Sequence, residues 1–377
     1  MELLAGSAAS GRPLSLLVSE AEAEELTLPC GLERKESSRH FAIAARRLLA
    51  ARVALEAHAS ALWVPGRLEL AGKHTDYAGG RSLLCAVRRG FYVVSAHRDD
   101  ALLRVLVTIG GQRAEATLAL SNEVDDQPNV LSTSAGGEAE GEPEWVKYPA
   151  VVARRLSLNW GSLRGVDLAL ECDLPPDSGM SSSSAIITLT FLTIAMRNRL
   201  ASRPEFARLF PNDEALCHYL GCIENGQDCG PELPGAMGVG TFGGSEDHTA
   251  IVCCRPAELR QYSFCPTRLE RVIPFPHDFT FIIAVSGAAA RKGVERRADY
   301  NNAAMLARWA AEAAATMDRP CLENVYSSGD GSQHDGARLV SDGANSAITL
   351  AAVIRLVATQ KGTSPSSDEV VEELSRR

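Results

Sequence analysis

The sequence predicts an α+β fold in two domains, with the boundary near residue 235. Three observations carry that prediction. A chain of 377 residues that is 45% hydrophobic has material for more than one core. Runs that read as strands are bounded by glycine and proline, and stretches with helical spacing stand between them. The two kinds of element mix without the regular strand–helix–strand alternation of a doubly wound sheet.

In chain order, residues 38–58 place Phe41, Ala44, Leu48, Leu49, Val53 and Leu55 at helical spacing, so an amphipathic helix precedes the first strand. Ala61–Val64 and Ser82–Val94 read as strands around a Gly-rich connection, and Leu102–Leu120 as a hairpin turning at Gly110-Gly111. Asn122–Glu144 is acidic, Gly/Ser-rich and aperiodic, and reads as a loop. Trp145–Leu156 resumes as a helix and Val166–Cys172 as a strand. A Pro- and Ser-rich turn then leads into a helix over about Ser183–Leu200. Two further strands are expected at Ala250–Cys254 and Phe279–Val285, then an Ala-rich helix over about Arg296–Thr316. From Asp318 onward the pattern is irregular, with one apolar stretch at Ala347–Leu356.

Composition narrows the function. The net charge of -9 argues against a nucleic-acid partner, which needs a basic face. Leu14–Val18 is too short for a signal peptide, and Ala185–Met196 falls short of a membrane span. Ten cysteines without a CxxC pair read as reduced thiols of a cytoplasmic enzyme.

Three segments concentrate polar chemistry. Pro65-Gly66-Arg67-Leu68-Glu69-Leu70-Ala71-Gly72-Lys73-His74-Thr75-Asp76-Tyr77 is not a P-loop, because five residues separate its glycines and His74 follows the lysine. It could line a site for several hydroxyls, and it equally suits an exposed charged hairpin. Pro175 to Ala185, rich in Gly and Ser and running into an apolar helix, can cradle phosphate on unpaired N–H groups; a Ser-rich cap on a core helix is the plainer alternative. Val239 to His248 offers two acids and a histidine beside Gly243-Gly244. A carboxylate there suits phosphoryl transfer, and an acidic surface turn is the commoner fate of such a pair.

In this order the three segments resemble the GHMP kinase superfamily of galacto-, homoserine, mevalonate and phosphomevalonate kinases, and within it the galactokinases. The first is similar to Gly-Arg-x-Asn-Leu-Ile-Gly-Glu-His-Thr-Asp-Tyr, the second to Pro-x-x-x-Gly-Leu-(Gly/Ser)-Ser-Ser-Ala, and the third to Gly-Ile-Met-Asp. Trp145-Val146-Lys147-Tyr148 and Asp299-Tyr300-Asn301 match more weakly, and the likeness spans roughly residues 60–316.

The resemblance implies a two-domain fold with the active site in the cleft, and transfer of the ATP γ-phosphoryl to a sugar hydroxyl, the anomeric one of galactose first. It implies Asp247 and Arg67 as catalytic groups, and Gly179, Met180, Ser181, Ser182 and Ser183 around the ATP phosphates. Ser183 and Glu224 would hold Mg2+, and His74, Asp76, Gly244 and Tyr300 would contact the sugar.

Three departures matter. Lys73 stands where the family carries glutamate, and a cation there suits a uronic acid as well as it suits a side chain pointing to solvent. Glu69 stands at the family's asparagine. The late Gly-rich third motif has no counterpart, so the C-terminal domain is expected to be incomplete or divergent. A kinase for another hexose, or a silent sugar sensor, is the alternative, and the oligomeric state is left open.

Overall fold

A computed structural model describes residues 12–19, 34–109, 112–121, 130–134, 143–175, 178–283, 301–302 and 304–307. Its frame is one mixed, mostly antiparallel sheet of nine strands. The first strand β1 (Arg12–Pro13) and a short helix α1 (Ser15–Val18) precede the helix α2 (Arg34–Ala50). The long strands β2 (His58–Ala71) and β3 (Arg81–His97) form the central hairpin, followed by β4 (Leu102–Ile109), β5 (Gln112–Ala119) and β6 (Val130–Ser134). Helix α3 (Lys147–Trp160), β7 (Val166–Cys172) and helix α4 (Ser182–Arg197) come next. The short α5 (Pro204–Leu209), then α6 (Asp213–Asn225) and α7 (Glu246–Cys253), lead to the hairpin β8 (Glu258–Ser263) and β9 (Arg268–Pro274).

The sheet runs β1-β2-β3-β7-β4-β5-β6, with β7 and β4 its one parallel pair among the described strands. Strand β3 is the spine. Its second half, Phe91–His97, pairs with β7, and its first residues, Arg81–Leu84, pair with β8. The sheet therefore extends past residue 235 and ties the segment after α7 to the central hairpin.

Side chains alternate across the pleat and so feed two cores. Phe91 and Val93 of β3 face a large cluster with Val152 and Leu156 of α3 and Ile187, Phe191 and Ile194 of α4. Tyr92, Val94 and Ala96 face the opposite cluster, where Leu14, Leu17, Phe41, Ala45 and Leu48 cover the sheet. Helix α4 is buried around nearly its whole circumference, as its apolar run with few polar breaks requires.

The structure corrects several expectations. Ala250–Cys254 is the end of helix α7 and the start of the following turn rather than a strand. A short apolar run fits either element, and here the ionised Asp247 in the first turn favours the helix through its dipole. The stretch read as a loop at 122–144 contains β6, which pairs with β5 at Glu115–Leu118. Residues 279–283 belong to no strand, and the rest of Phe279–Val285 lies outside the described residues. In the Ala-rich stretch 296–316, residues 301–302 and 304–307 are helical and the others lie outside the described residues, as does the Gly110-Gly111 turn. Among the described residues no helix is long and apolar enough to cross a membrane.

Candidate active site

The site forms where the central hairpin meets the first turns of α4 and α7. Strand β2 breaks its register with β3 between Pro65 and Arg67, and again between Glu69 and Ala71. The first break lets the backbone meet the turn before α4. The Arg67 N–H donates to the Met180 carbonyl at 3.3 Å. A Cβ on Gly66 would lie 2.7 Å from Leu174 Cδ2 and 3.0 Å from Met180 O, so glycine is what permits this approach.

The turn itself is tightly wound. Gly179 has φ +70°, and Ser181, the residue capping α4, is left-handed at φ 56°. Space is open where a Cβ of Gly179 would stand. The N–H groups of the first turn of α4 begin here, beside Ser182 and Ser183.

Asp247 sits at the centre. Arg67 Nε donates to its Oδ1 at 2.6 Å, and Ser181 Oγ to its Oδ2 at 2.5 Å. Arg67 Nη1 also donates to the Gly179 carbonyl at 2.8 Å, so one guanidinium fixes both the carboxylate and the turn. Burial pushes the Asp247 carboxyl up, but Arg67, Ser181 and His248 outweigh it and hold the group below the ordinary aspartate range. The group is an anion at neutral pH.

Behind Asp247 lies a buried polar relay. Ser184 Oγ donates to Glu224 Oε2 at 2.9 Å and lies 3.3 Å from Asp247 Oδ2. His248 Nε2 is 2.9 Å from the same Glu224 oxygen, and its Nδ1 is 3.2 Å from Thr188 Oγ1. The serine that reaches Glu224 is thus Ser184, one residue beyond Ser183 and on the neighbouring face of the helix. A hydroxyl and two carboxylates converging in this way are the hard oxygen donors that magnesium takes, so the residues present fit such an ion.

The polar cluster after β2 closes the other side. Asp76, 7% exposed, accepts the Glu246 N–H at 3.1 Å on Oδ2. Burial raises its carboxyl above the usual range, and the nearby Asp247 charge adds to that. Gly244 packs so tightly on Asp76 that a Cβ would overlap the carboxylate. Asn225 clamps Gly243 through its Nδ2 to the Gly243 carbonyl at 2.7 Å and its Oδ1 from the Gly243 N–H at 2.8 Å. His74 is left-handed at φ 58° and half-buried, and burial with the Lys73 charge lowers its ring. Lys73 is exposed at the rim. Tyr300 lies outside the described residues; its neighbour Asn301 accepts the Phe242 N–H at 2.9 Å and donates to the Gly240 carbonyl at 3.0 Å.

The structure thus brings Arg67, Asp76, Gly179 to Ser181, Gly244 and Asp247 together from three separated segments, with Glu224 behind them. Sequence reasoning missed Ser184, the Asn225 clamp and the burial of Glu246. Ser184 sits in a serine run whose members only the helical register distinguishes.

The galactokinase galactose-binding signature matches residues 57–97, which is the β2–β3 hairpin with the cluster between its strands. In this segment the chain is similar to galactokinases.

Solved structures to which the chain is similar include the Lactococcus lactis galactokinase complexed with galactose. It is 18% identical, with 77% of this chain and 68% of that one covered and a TM-score of 0.47. A D-glycero-D-manno-heptose 1-phosphate kinase from Bacteroides thetaiotaomicron is 15% identical over 56% of this chain and 59% of its own, with a TM-score of 0.39. The Methanococcus jannaschii mevalonate kinase is 13% identical over 56% of this chain and 55% of its own, with a TM-score of 0.36. The chain therefore spans about two thirds of the first and less of the other two. The signature over residues 57–97, not these superpositions, carries the likeness.

Proposed function

We propose that the protein is a sugar kinase that moves the γ-phosphoryl of ATP to a sugar hydroxyl, with the anomeric hydroxyl of galactose as the first candidate. One observation carries the reading. Asp247 is held ionised by Arg67 and Ser181, at the mouth of a glycine–serine turn that opens a helix and beside the galactose-binding signature.

In this reading the ATP phosphates lie against Gly179 to Ser183, where N–H groups and the helix dipole favour anions. Magnesium would be held by Glu224 with Ser184 or Ser183. When bound, the ion neutralises charge on the β- and γ-phosphates. His74, Asp76, Gly244 and Tyr300 bind the sugar, and Lys73 stands at its rim.

Asp247, with a depressed pKa, is a weak base. Its contribution is to accept a hydrogen bond from the attacking hydroxyl and aim it, taking up the proton only as the phosphoryl bond forms. Arg67, whose guanidinium carries five N–H donors, holds Asp247 and offers positive charge to the transferring group.

The test is ADP release by the purified chain against a panel including galactose and galacturonate, with Asp247→Ala alongside. Sugar-dependent turnover that disappears in the variant is expected. Sugar and ATP binding without turnover would replace the kinase by a sugar sensor, and an absence of binding to either would overturn both.

A further inference from the structure

Beside the candidate active site, the structure assembles a second set of ligand-bearing side chains that the sequence spacing hides. His218 and Cys222 are four residues apart on α6 and so share one face of the helix. Gly226, left-handed at φ 76°, ends that helix and turns the chain back. The Gln227 N–H donates to the Cys222 carbonyl at 3.0 Å, and the Cys229 N–H to the Leu233 carbonyl at 2.9 Å, closing a small bridged loop. Cys229 is thereby brought against the helix.

The ligand atoms of His218, Cys222 and Cys229 all lie within 4.8 Å of one another, and His218 Nε2 is 3.8 Å from Cys222 Sγ. Zinc–sulfur bonds of about 2.3 Å in a tetrahedron set sulfurs about 3.8 Å apart, and nitrogen–sulfur pairs slightly closer. Side-chain rotation of less than about 1 Å therefore closes the triad on one ion.

Two features favour a metal over three idle side chains. The loop is held from below by Arg155, which donates through Nη2 to the Gln227 carbonyl at 2.6 Å and to the Leu233 carbonyl at 3.3 Å. Arg155 is 1% exposed, and its Nη1 is buried without a hydrogen-bond partner among the described residues. The His218 end is exposed, which gives an ion an entry path and leaves its fourth position to water. The other close sulfur pair, Cys217 and Cys253 at 3.6 Å, is fully enclosed, and neither of its members belongs to a metal-capable cluster among the described residues.

We infer that His218, Cys222 and Cys229 form a site for a zinc-class divalent ion that pins the 226–235 loop to helix α6. The donor set, two sulfurs and an imidazole, selects soft or borderline ions and rejects magnesium. The site is therefore chemically separate from the oxygen donors around Glu224, although it braces the same helix.

The experiment uses the reduced, metal-stripped full chain titrated with Co2+. One equivalent is expected to give tetrahedral visible bands and a thiolate-to-cobalt charge-transfer band, displaced by Zn2+ and untouched by excess Mg2+. Cys222→Ser and Cys229→Ser are each expected to weaken Co2+ binding at least about tenfold. Cys172→Ser, at an exposed cysteine elsewhere, leaves it unchanged. Circular dichroism of each metal-free variant checks that the fold persists. The inference is overturned if the native chain gives no charge-transfer band. It is equally overturned if both serine variants keep the band, which would put the ion on other cysteines.

Discussion

Glu246 is a carboxyl that the fold forces to stay protonated. It is 4% exposed, and its Oε1 is buried without a hydrogen-bond partner among the described residues. Burial, the Asp76 charge, a hydrogen bond with Glu69 and the Asp247 charge together raise it from 4.5 to about 10. Between those two values the folded chain keeps a proton that the unfolded chain gives up, so stability falls as pH rises through the window.

Each pH unit above the unfolded value removes about 1.4 kcal/mol. At pH 7.5, about three units above, the loss is at most about 4 kcal/mol, and coupling to the Asp76 carboxyl brings it toward about 2 kcal/mol. Glu246→Gln fixes the neutral shape. Its urea-unfolding free energy is expected to match the parent within about 1 kcal/mol near pH 5 and to exceed it by about 2–4 kcal/mol at pH 7.5. An equal difference at both pH values would refute the reasoning, because a packing change does not follow pH.

Arg67→Met leaves Asp247 buried without its guanidinium. Its carboxyl should rise from below the ordinary aspartate range to above it, so that stability once lost only in acid is now lost as pH climbs above the ordinary aspartate value; carboxyl-carbon NMR titration reads the change directly. Gly244→Ala must displace the Asp76 carboxylate, and on the proposed function it should weaken galactose binding about 10–100-fold by calorimetry while ATP binding stays within about twofold. Lys73→Glu should shift preference from galacturonate toward galactose in the ADP-release assay, and an unchanged ratio removes Lys73 from acceptor choice. Ser184→Ala should lower magnesium-dependent ADP release more than Ser183→Ala does, since it is Ser184 that reaches Glu224; the reverse order returns the role to Ser183.

What the sequence made legible were elements whose side chains state one answer. Val166–Cys172 sets Val166, Leu168, Leu170 and Cys172 at alternate positions between turn signals, and it is β7. The apolar spacing of Phe41, Ala44 and Leu48 is the buried face of α2. The run at Ala250–Cys254 misled because aliphatic, partly β-branched residues fit both elements, and packing against β2 and β3 decided for the helix. Helix α6 carried start and stop signals that went unread: Asn212 accepts the Ala215 N–H, two acids follow, and Gly226 closes the end.

In the candidate site, Arg67 and Asp247 were found through their motifs, but nothing local says that they touch. Glu69 and Glu246 were likewise unreadable as a pair, because each stands in its own segment and only the fold presses them together. His218, Cys222 and Cys229 escaped notice because a turn at Gly226, not a short repeat, unites them.

Strand β3 has a bearing on how this protein comes to fold. Arg67 and Asp247 are 180 residues apart, and both reach the site through elements moored to β3, by the β2 pairing on one side and the β8 pairing on the other. Contacts of such sequence separation close large loops before they return any favourable energy, and that slows folding. A chain emerging from the ribosome cannot join Arg67 to Asp247 until α7 has been made, nor anchor that helix through β8 until Ser263 has followed. Until then the first strands must wait with the Arg81–Leu84 edge of β3 unpaired by β8, an edge that invites other chains.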